Sequence, residues 1–125
     1  MIAGTGVDLA EVDRIREAIS RFGDRFIHRI YTEREIAYVQ RKANRFERFA
    51  ARFAAKEAGM KALGTGWRRG IQWKDFEVVN LPSGRPTLLL HGEAEKIARD
   101  MGVVHIHLSL THTVKDGLAY VIFER

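Results

Sequence analysis

The apolar residues between positions 46 and 64 recur at steps of three and four, and this spacing predicts one long helix. The apolar stripe of that helix consists of Phe46, Phe49, Phe53, Met60 and Leu63. Glu57 falls in the middle of the stripe, because successive residues turn by about 100° around a helix. A carboxylate there is costly unless a cation, a metal ion or several donors accompany it. The pattern leaves two interpretations open: a buried ion pair with Lys61, or a catalytic or metal-binding role.

The rest of the pattern predicts a mixture of strands and helices. Alternating or turn-bounded apolar runs predict strands at residues 1–9, 76–81, 87–91, 104–111 and 118–123. Helical spacing predicts helices at residues 11–22, at 93–101 and after the capping box of Thr32 and Glu35. Residues 1–125 are therefore expected to form a single α+β domain, with an antiparallel sheet packed against the long helix.

The composition excludes several classes of protein. With 46% hydrophobic and 30% charged residues, the 125-residue chain resembles an ordinary globular domain. It contains no cysteine, which excludes disulfides, thiolate catalysis and cysteine-based zinc sites. No secretory signal is visible, and no apolar run approaches the roughly 18 residues of a membrane span. We therefore expect a cytoplasmic protein.

The formal net charge of +5 favours anionic partners such as nucleic acid, nucleotides or an acidic protein. Many of the basic residues lie in the first half of the chain, including Arg14, Arg16, Arg21, Arg25, Arg29, Arg34, Arg41, Lys42, Arg45, Arg48 and Arg52. Two alternatives to an enzyme are a basic nucleic-acid-binding module and a non-catalytic trimeric assembly protein. The first would leave Asp8 and Glu57 unexplained, and no helix-turn-helix, RRM or KH signature is visible.

Three polar clusters are candidates for chemistry, and each also has a structural interpretation. Asp8 is expected at the end of the first strand, after two glycines that allow close approach of a backbone or ligand. An aspartate before a helix is also commonly a cap or turn residue. The second cluster joins Lys56, Glu57 and Lys61 to the following Gly-Thr-Gly, which suits a phosphate. A glycine at that point also ends a helix in the ordinary way.

The third cluster is the run of hydroxyls and histidine at residues 109–113. Such side chains can bind a phosphate, although polar residues are common on edge strands. His105 and His107 share a strand face nearby, but no third ligand completes a zinc site. A Ser-His-Asp hydrolase is not expected, because the chain has no Gly-x-Ser-x-Gly elbow.

Taken together and in chain order, four segments resemble the bacterial holo-acyl-carrier-protein synthases, the short 4'-phosphopantetheinyl transferases. The segments are Gly6-Val7-Asp8, Arg52-Phe53-Ala54-Ala55-Lys56-Glu57-Ala58, Leu63-Gly64-Thr65-Gly66 and Ser109-Leu110-Thr111-His112-Thr113. The resemblance implies Mg²⁺-dependent transfer of 4'-phosphopantetheine from coenzyme A to a serine of apo-acyl carrier protein, for fatty acid biosynthesis. It also implies release of adenosine 3',5'-bisphosphate, and homotrimers with active sites between subunits.

The resemblance also implies roles for individual residues. Asp8 and Glu57 would bind the metal ion, Glu57 would take the serine proton directly or through a metal-bound water, and Lys61 would contact the diphosphate. The coenzyme would be bound by Arg52, Lys61, Gly64, Gly66, Ser83, Gly84, Arg85, Pro86, His112 and Thr113. The acidic carrier would dock on Arg14, Arg21 and Arg25, of which the first two share one face of a helix.

Two positions depart from the family pattern. Thr111 stands where many relatives have a second serine before the histidine, and this exchange keeps the hydroxyl. Met60 stands where some relatives have a small residue, so a phosphate contact at that position is not expected to carry over.

Overall fold

The fold packs one long helix against two antiparallel sheets. The computed structural model describes residues 1–68 and 70–125. Its elements in chain order are β1 (Ile2–Glu11), α1 (Val12–Phe22), α2 (Asp24–Ile30), α3 (Glu33–Gln40), α4 (Arg45–Leu63), β2 (Phe76–Asn80), β3 (Pro86–Leu90), α5 (Gly92–Asp100), β4 (His105–His112) and β5 (Asp116–Glu124). A short 3-10 turn, Trp73–Asp75, precedes β2. Within these ranges no helix is long and apolar enough to span a membrane.

The larger sheet has the strand order β1-β5-β4 and is antiparallel throughout, whereas β2 and β3 form a separate hairpin. One face of the larger sheet packs on α4 through buried Ala119, Val121 and Phe123 of β5. The opposite face leaves large apolar side chains exposed, at Val7, Leu9, Leu118 and Tyr120. The predicted α+β class, with an antiparallel sheet against the long helix, is therefore confirmed.

The face of α4 that packs on the sheet differs from the predicted apolar stripe. Phe46 and Phe53 are only half-buried, whereas small residues are buried there: Ala51, Ala54, Ala55, Ala58 and Ala62. Glycines bring the strands directly onto the helix backbone. A Cβ at Gly6 would lie 1.9 Å from the Ala58 carbonyl oxygen, and one at Gly4 would lie 2.1 Å from that of Ala62. Contact this close leaves no room for large side chains between helix and strand.

Several predicted boundaries were wrong. Strand β1 continues to Glu11, so Asp8 lies within the strand, opposite Ala119, and not at its end. Residues 116 and 117, expected to form a turn between the strands predicted at 104–111 and 118–123, belong to β5, because they pair with the end of β1. The true turn is at 113–115, where the Thr113 hydroxyl accepts the amide hydrogens of Lys115 and Asp116. Helix α2 was not predicted at all.

Candidate functional site

Asp8 and Lys61 form the centre of a charged cluster between β1 and α4. The Lys61 ammonium donates to Asp8 Oδ1 at 3.0 Å and to the Val7 carbonyl at 3.1 Å. The Asp8 side chain is only 18% exposed, and that of Lys61 is 56% exposed. The ion pair of Lys61 therefore forms with Asp8 across the helix–strand contact, and of the two interpretations left open for Glu57, the buried pair with Lys61 is wrong.

Glu57 completes the cluster, one turn before Lys61 on α4. Partial burial, together with the charge of Asp8 and a hydrogen bond with it, raises the pKa of its carboxyl to about 6. The nearby Lys61 acts in the opposite direction. Glu57 also borders a mostly apolar cleft of about 360 Å³, whose other walls include Leu9, Arg14, Ile15, Phe26 and Phe53. The structure thus brings together the three predicted catalytic residues.

The two carboxylates of this cluster fit a hard divalent cation. Burial, and after it the charge of Asp8, raises the pKa of Glu57, and a cation between the two carboxylates would remove their repulsion. Within residues 1–68 and 70–125, no group of three or more histidine, cysteine, aspartate or glutamate residues is arranged to hold a metal. A cation here would therefore take its remaining ligands from substrate oxygens and water, as Mg²⁺ commonly does.

Arg52 belongs to a second cluster, in a cavity of about 220 Å³ that it shares with Gly84, Pro86 and His112. Arg52 is 3% exposed, donates to Asn80 Oδ1 at 3.3 Å, and lies with its guanidinium carbon 4.7 Å from the centre of the Tyr38 ring. Its Nε is buried without a hydrogen-bond partner, and burial lowers the pKa of the guanidinium. A buried donor without an acceptor favours an anion at this place.

Three further residues line this cavity and were not among the predicted coenzyme-binding residues: Tyr38, Arg48 and Asn80. Arg48 lies one turn before Arg52 on α4, so the spacing of four residues could have indicated that both face the same cavity. Tyr38 and Asn80 come from α3 and the end of β2, and only the tertiary fold brings them to Arg52.

The other predicted coenzyme residues are distributed around these two clusters. Arg85 lines a different cavity, of about 370 Å³, on the outer face of the larger sheet. Ser83 Oγ accepts the Arg85 amide hydrogen at 3.3 Å, which shapes the hairpin turn. Gly64 ends α4 in the left-handed region, at φ 75°, and is exposed. Gly66 and Thr113 are also exposed, and neither lines the Arg52 cavity.

The two clusters lie on different sides of α4. Arg52 precedes Glu57 by five residues and Lys61 by nine, which separates them by about 140° and 180° around the helix axis. The Arg52 cavity and the Asp8–Lys61 pair of one chain therefore face in nearly opposite directions.

The predicted partner-binding arginines are exposed. Arg14 lies in the wall of the Glu57 cleft, 81% exposed, with its guanidinium 3.8 Å from the Glu11 carboxylate. Arg21 lies two turns further along α1, and Arg25 lies in the first turn of α2. A shallow pocket between Arg14 and Arg21 joins this surface to the cleft. The basic surface and the Glu57 cleft are thus continuous.

Lys56 was grouped with Glu57 as a possible phosphate ligand, and that interpretation is wrong. Its side chain is fully buried, and the ammonium donates to Glu35 Oε1 at 2.8 Å and to the Phe76 carbonyl. Lys56 is therefore buried whereas its sequence neighbour Glu57 borders the cleft, because a helix turns by about 100° from one residue to the next.

Comparison with known proteins shows the family. Residues 4–117 match the family model described as the 4'-phosphopantetheinyl transferase superfamily, and the chain belongs to that family. The chain is 68% identical over 124 residues to the holo-[acyl-carrier-protein] synthase of Solibacter usitatus, covering 99% of both chains. It is 58% identical, with the same coverage, to the protein of that name from Koribacter versatilis.

Solved structures of the same kind share the fold. The holo-[acyl-carrier-protein] synthase of Neisseria meningitidis is similar with a TM-score of 0.90 at 31% identity, over 100% of both chains. The Bacillus anthracis holo-(acyl-carrier-protein) synthase, solved in complex with CoA (3',5'-ADP), is similar with a TM-score of 0.79 at 34% identity. That likeness covers 98% of this chain and 96% of the other.

Proposed function

We infer that this chain transfers 4'-phosphopantetheine from coenzyme A to a serine of apo-acyl carrier protein and releases adenosine 3',5'-bisphosphate. One observation carries the inference: Asp8, Glu57 and Lys61 meet at one point of a chain that matches holo-[acyl-carrier-protein] synthases over 99% of its length. Membership of a transferase superfamily favours this function over a nucleic-acid-binding module or a non-catalytic assembly protein.

Glu57 has the properties of a general base for the acceptor serine. With a pKa of about 6, its carboxyl is mostly ionised at neutral pH yet basic enough to accept a proton. The mostly apolar cleft beside it offers a path by which the serine could reach the carboxylate. Lys61 is exposed on the far side of the pair with Asp8, where its charge can bind a diphosphate and stabilise the departing phosphate.

Asp8 and Glu57 would hold the magnesium ion of the reaction. Bound there, Mg²⁺ would neutralise the diphosphate and polarise the phosphorus that the serine attacks. The Lys61 ammonium, which donates to Asp8 Oδ1, would hold that carboxylate in a fixed direction.

The Arg52 cavity suits the nucleotide end of coenzyme A. The unpaired Arg52 Nε, together with Arg48 and His112, supplies donors for a phosphate, and the hairpin residues Gly84 and Pro86 line the opposite wall. Ser83 and Arg85 of the same hairpin, Thr113 after β4, and Gly64 and Gly66 after α4 are proposed to contact other parts of the coenzyme. These last assignments rest on the resemblance of the motifs.

We further propose a homotrimer of single-domain chains with active sites between subunits. One chain directs its Asp8–Lys61 pair and its Arg52 cavity to opposite sides of α4, so a single coenzyme can use both only if two chains contribute. The exposed apolar face of the larger sheet, with Val7, Leu9, Leu118 and Tyr120, supplies a surface for such an assembly.

Arg14, Arg21 and Arg25 are proposed to dock the carrier protein. They form a basic surface that leads into the Glu57 cleft, so a carrier bound there would present its serine to the base. Charges at the rim of an interface mainly raise the association rate and select the partner.

The function is tested by incubating the protein with coenzyme A, Mg²⁺ and apo-acyl carrier protein. The carrier should gain roughly 340 Da, the mass of a phosphopantetheinyl group, by mass spectrometry. Omission of Mg²⁺ tests the metal separately. A carrier of unchanged mass, with folded protein and intact coenzyme A, would exclude the function.

A further inference from the structure

We propose that Lys56 is a positioning residue, and that its buried ion pair with Glu35 fixes the rotation of α4 that directs Glu57 and Lys61 toward Asp8. The expected effect on kcat rests on the proposed function, whereas the expected rotation of α4 rests on the fold alone. Lys56 contacts none of the groups assigned to substrate or metal.

The polar contacts of Lys56 extend to three other elements. Its ammonium donates to Glu35 Oε1 in α3, to the Phe76 carbonyl in β2, and to the Trp73 carbonyl at 3.5 Å. Glu35 in turn accepts the Val78 amide hydrogen at 3.0 Å and the Thr32 amide hydrogen at 2.9 Å. Lys56 and Glu35 are both fully buried, so these directional bonds are shielded from water.

Stability does not account for such a pair. Desolvation of two buried charges opposes folding, and their attraction and hydrogen bonds act against that cost. Replacing a buried ion pair by apolar residues of similar size is often neutral or stabilising. The best-attested use of such pairs is to specify one register among several.

The rotation of α4 about its own axis decides which of its side chains face Asp8. Its contact with the sheet is built from alanines on the helix and from Gly4, Gly6 and Gly117 on the strands. This contact sets the distance between helix and strand, and the buried Phe49, Met60 and Leu63 of α4 pack in the core, but apolar contacts of this kind are not directional. Around the axis, Lys56 lies about 100° to one side of Glu57, and Ala58 lies about 100° to the other. The Lys56 hydrogen bonds therefore add directional contacts on the side of α4 that faces away from the glycines of β1.

A small rotation would have a large effect on the site. Side-chain tips lie about 5–6 Å from a helix axis, so a 20° rotation of α4 would move the Glu57 carboxyl by about 2 Å. A misplacement of roughly 1 Å can reduce a rate about 100-fold. Asp8 is on β1 and would not move with the helix, so its geometry with Glu57 and Lys61 would change.

The test compares Lys56→Met with Leu90→Ala, a buried substitution in β3 that destabilises the core without removing a hydrogen bond of Lys56. Well below both melting temperatures, Lys56→Met should lower kcat roughly 10- to 100-fold. The KM for carrier protein should stay within about twofold, because α1 carries that surface. Leu90→Ala should keep the kcat of the unsubstituted protein. Equal kcat losses in the two variants, or none in Lys56→Met, would overturn the proposal.

A second variant removes both charges, in case Lys56→Met alone folds poorly. Lys56→Met with Glu35→Gln should regain stability relative to the single variant without regaining kcat. Residual dipolar couplings of the α4 amides, whose periodic variation reports the rotation of a helix, should shift in phase relative to the unsubstituted protein. An unchanged phase would overturn the proposal that Lys56 fixes the rotation of α4, regardless of the measured kcat. Loss of transfer in the unsubstituted protein would instead contradict the proposed function.

Discussion

Glu57 illustrates how a single residue can be useful for reaction and unfavourable for folding. Its carboxyl is partly desolvated and lies beside Asp8, and both conditions raise its pKa to about 6. At neutral pH the protein therefore carries a repulsive pair of carboxylates, which Lys61 relieves only in part and a bound cation would relieve further. Such perturbed carboxylates are concentrated at functional sites.

We predict that Glu57→Gln abolishes transfer and stabilises the free protein at neutral pH. The folded protein keeps the Glu57 proton up to pH about 6, whereas an unfolded glutamate loses it near 4.5. The Glu57 carboxyl therefore does not destabilise the folded protein below pH 4.5, and its full destabilising effect is reached above pH about 6. Its size is less than about 2 kcal/mol, because solvent screens the half-buried carboxyl. Thermal unfolding should show the gain at pH 8 and none at pH 4, and a loss of stability at pH 8 would contradict the argument.

The same pKa sets the pH dependence of the reaction. We predict that kcat/KM falls as the pH is lowered through about 6, because protonated Glu57 cannot accept the serine proton. The profile should be measured at saturating Mg²⁺ and again at low Mg²⁺. A bound cation favours the ionised carboxylate, so the acidic limb should move to lower pH at high Mg²⁺. A limb that is independent of Mg²⁺ would count against Glu57 as a metal ligand.

At the scale of elements, the contact between β1 and α4 sets the distance between Asp8 and Lys61. Gly4, Gly6 and Asp8 lie on one face of β1, since side chains alternate along a strand. The two glycines let the strand approach the helix, and Asp8 then reaches the Lys61 ammonium. In this segment of β1, the two glycines thus set the distance to α4, and Asp8 supplies the carboxylate.

We predict that Gly6→Ala destabilises the protein by about 1–3 kcal/mol or more, because a Cβ there would overlap the Ala58 carbonyl oxygen. Transfer should fall as well, since Asp8 would be displaced from Lys61. Thr5→Ala is the matched control, on the adjacent, exposed side of the same strand, and should leave both properties nearly unchanged. Denaturant unfolding and initial rates measure the two effects, and equal behaviour of the two variants would refute this account.

Helix α1 is predicted to govern capture of the carrier and not the chemical step. Arg14→Ala with Arg21→Ala should raise the KM for carrier protein and weaken the dependence of kcat/KM on salt, with little change in kcat. Lys96→Ala with Arg99→Ala removes two exposed positive charges from α5 and serves as the charge-matched control. An unchanged KM for the carrier, or an equal rise in the KM for coenzyme A, would argue for another docking surface.

At the scale of the whole molecule, the arrangement of the two clusters predicts shared active sites. Chains with Glu57→Gln and chains with His112→Ala should each be inactive, yet after joint unfolding and refolding their mixture should regain transfer. In a random equal mixture, roughly one quarter of the interfaces pair an intact Glu57 with an intact His112. Activity of about that fraction is expected, and an inactive mixture of verified hetero-oligomers would place the whole site within one chain.

Much of the fold followed from local patterns. The long helix, the hairpin around Gly84 and the alternating strand β4 each have a periodicity or turn signal within a few residues. Helix α2 was missed because its seven residues are too few to show a period. The limits of β1 and β5 were misjudged because strand ends depend on pairing with a distant partner, which local residues do not encode.

The sequence by itself determined that Glu57 is out of place on an apolar helix, and its ordered motifs identified the family. These conclusions need only residue chemistry and spacing, which are properties of the chain. The tertiary structure alone decided that Lys61 pairs with Asp8, and that Lys56 is buried against Glu35. Neither pairing follows from the sequence, because each depends on which side of α4 the glycines of β1 allow the sheet to approach.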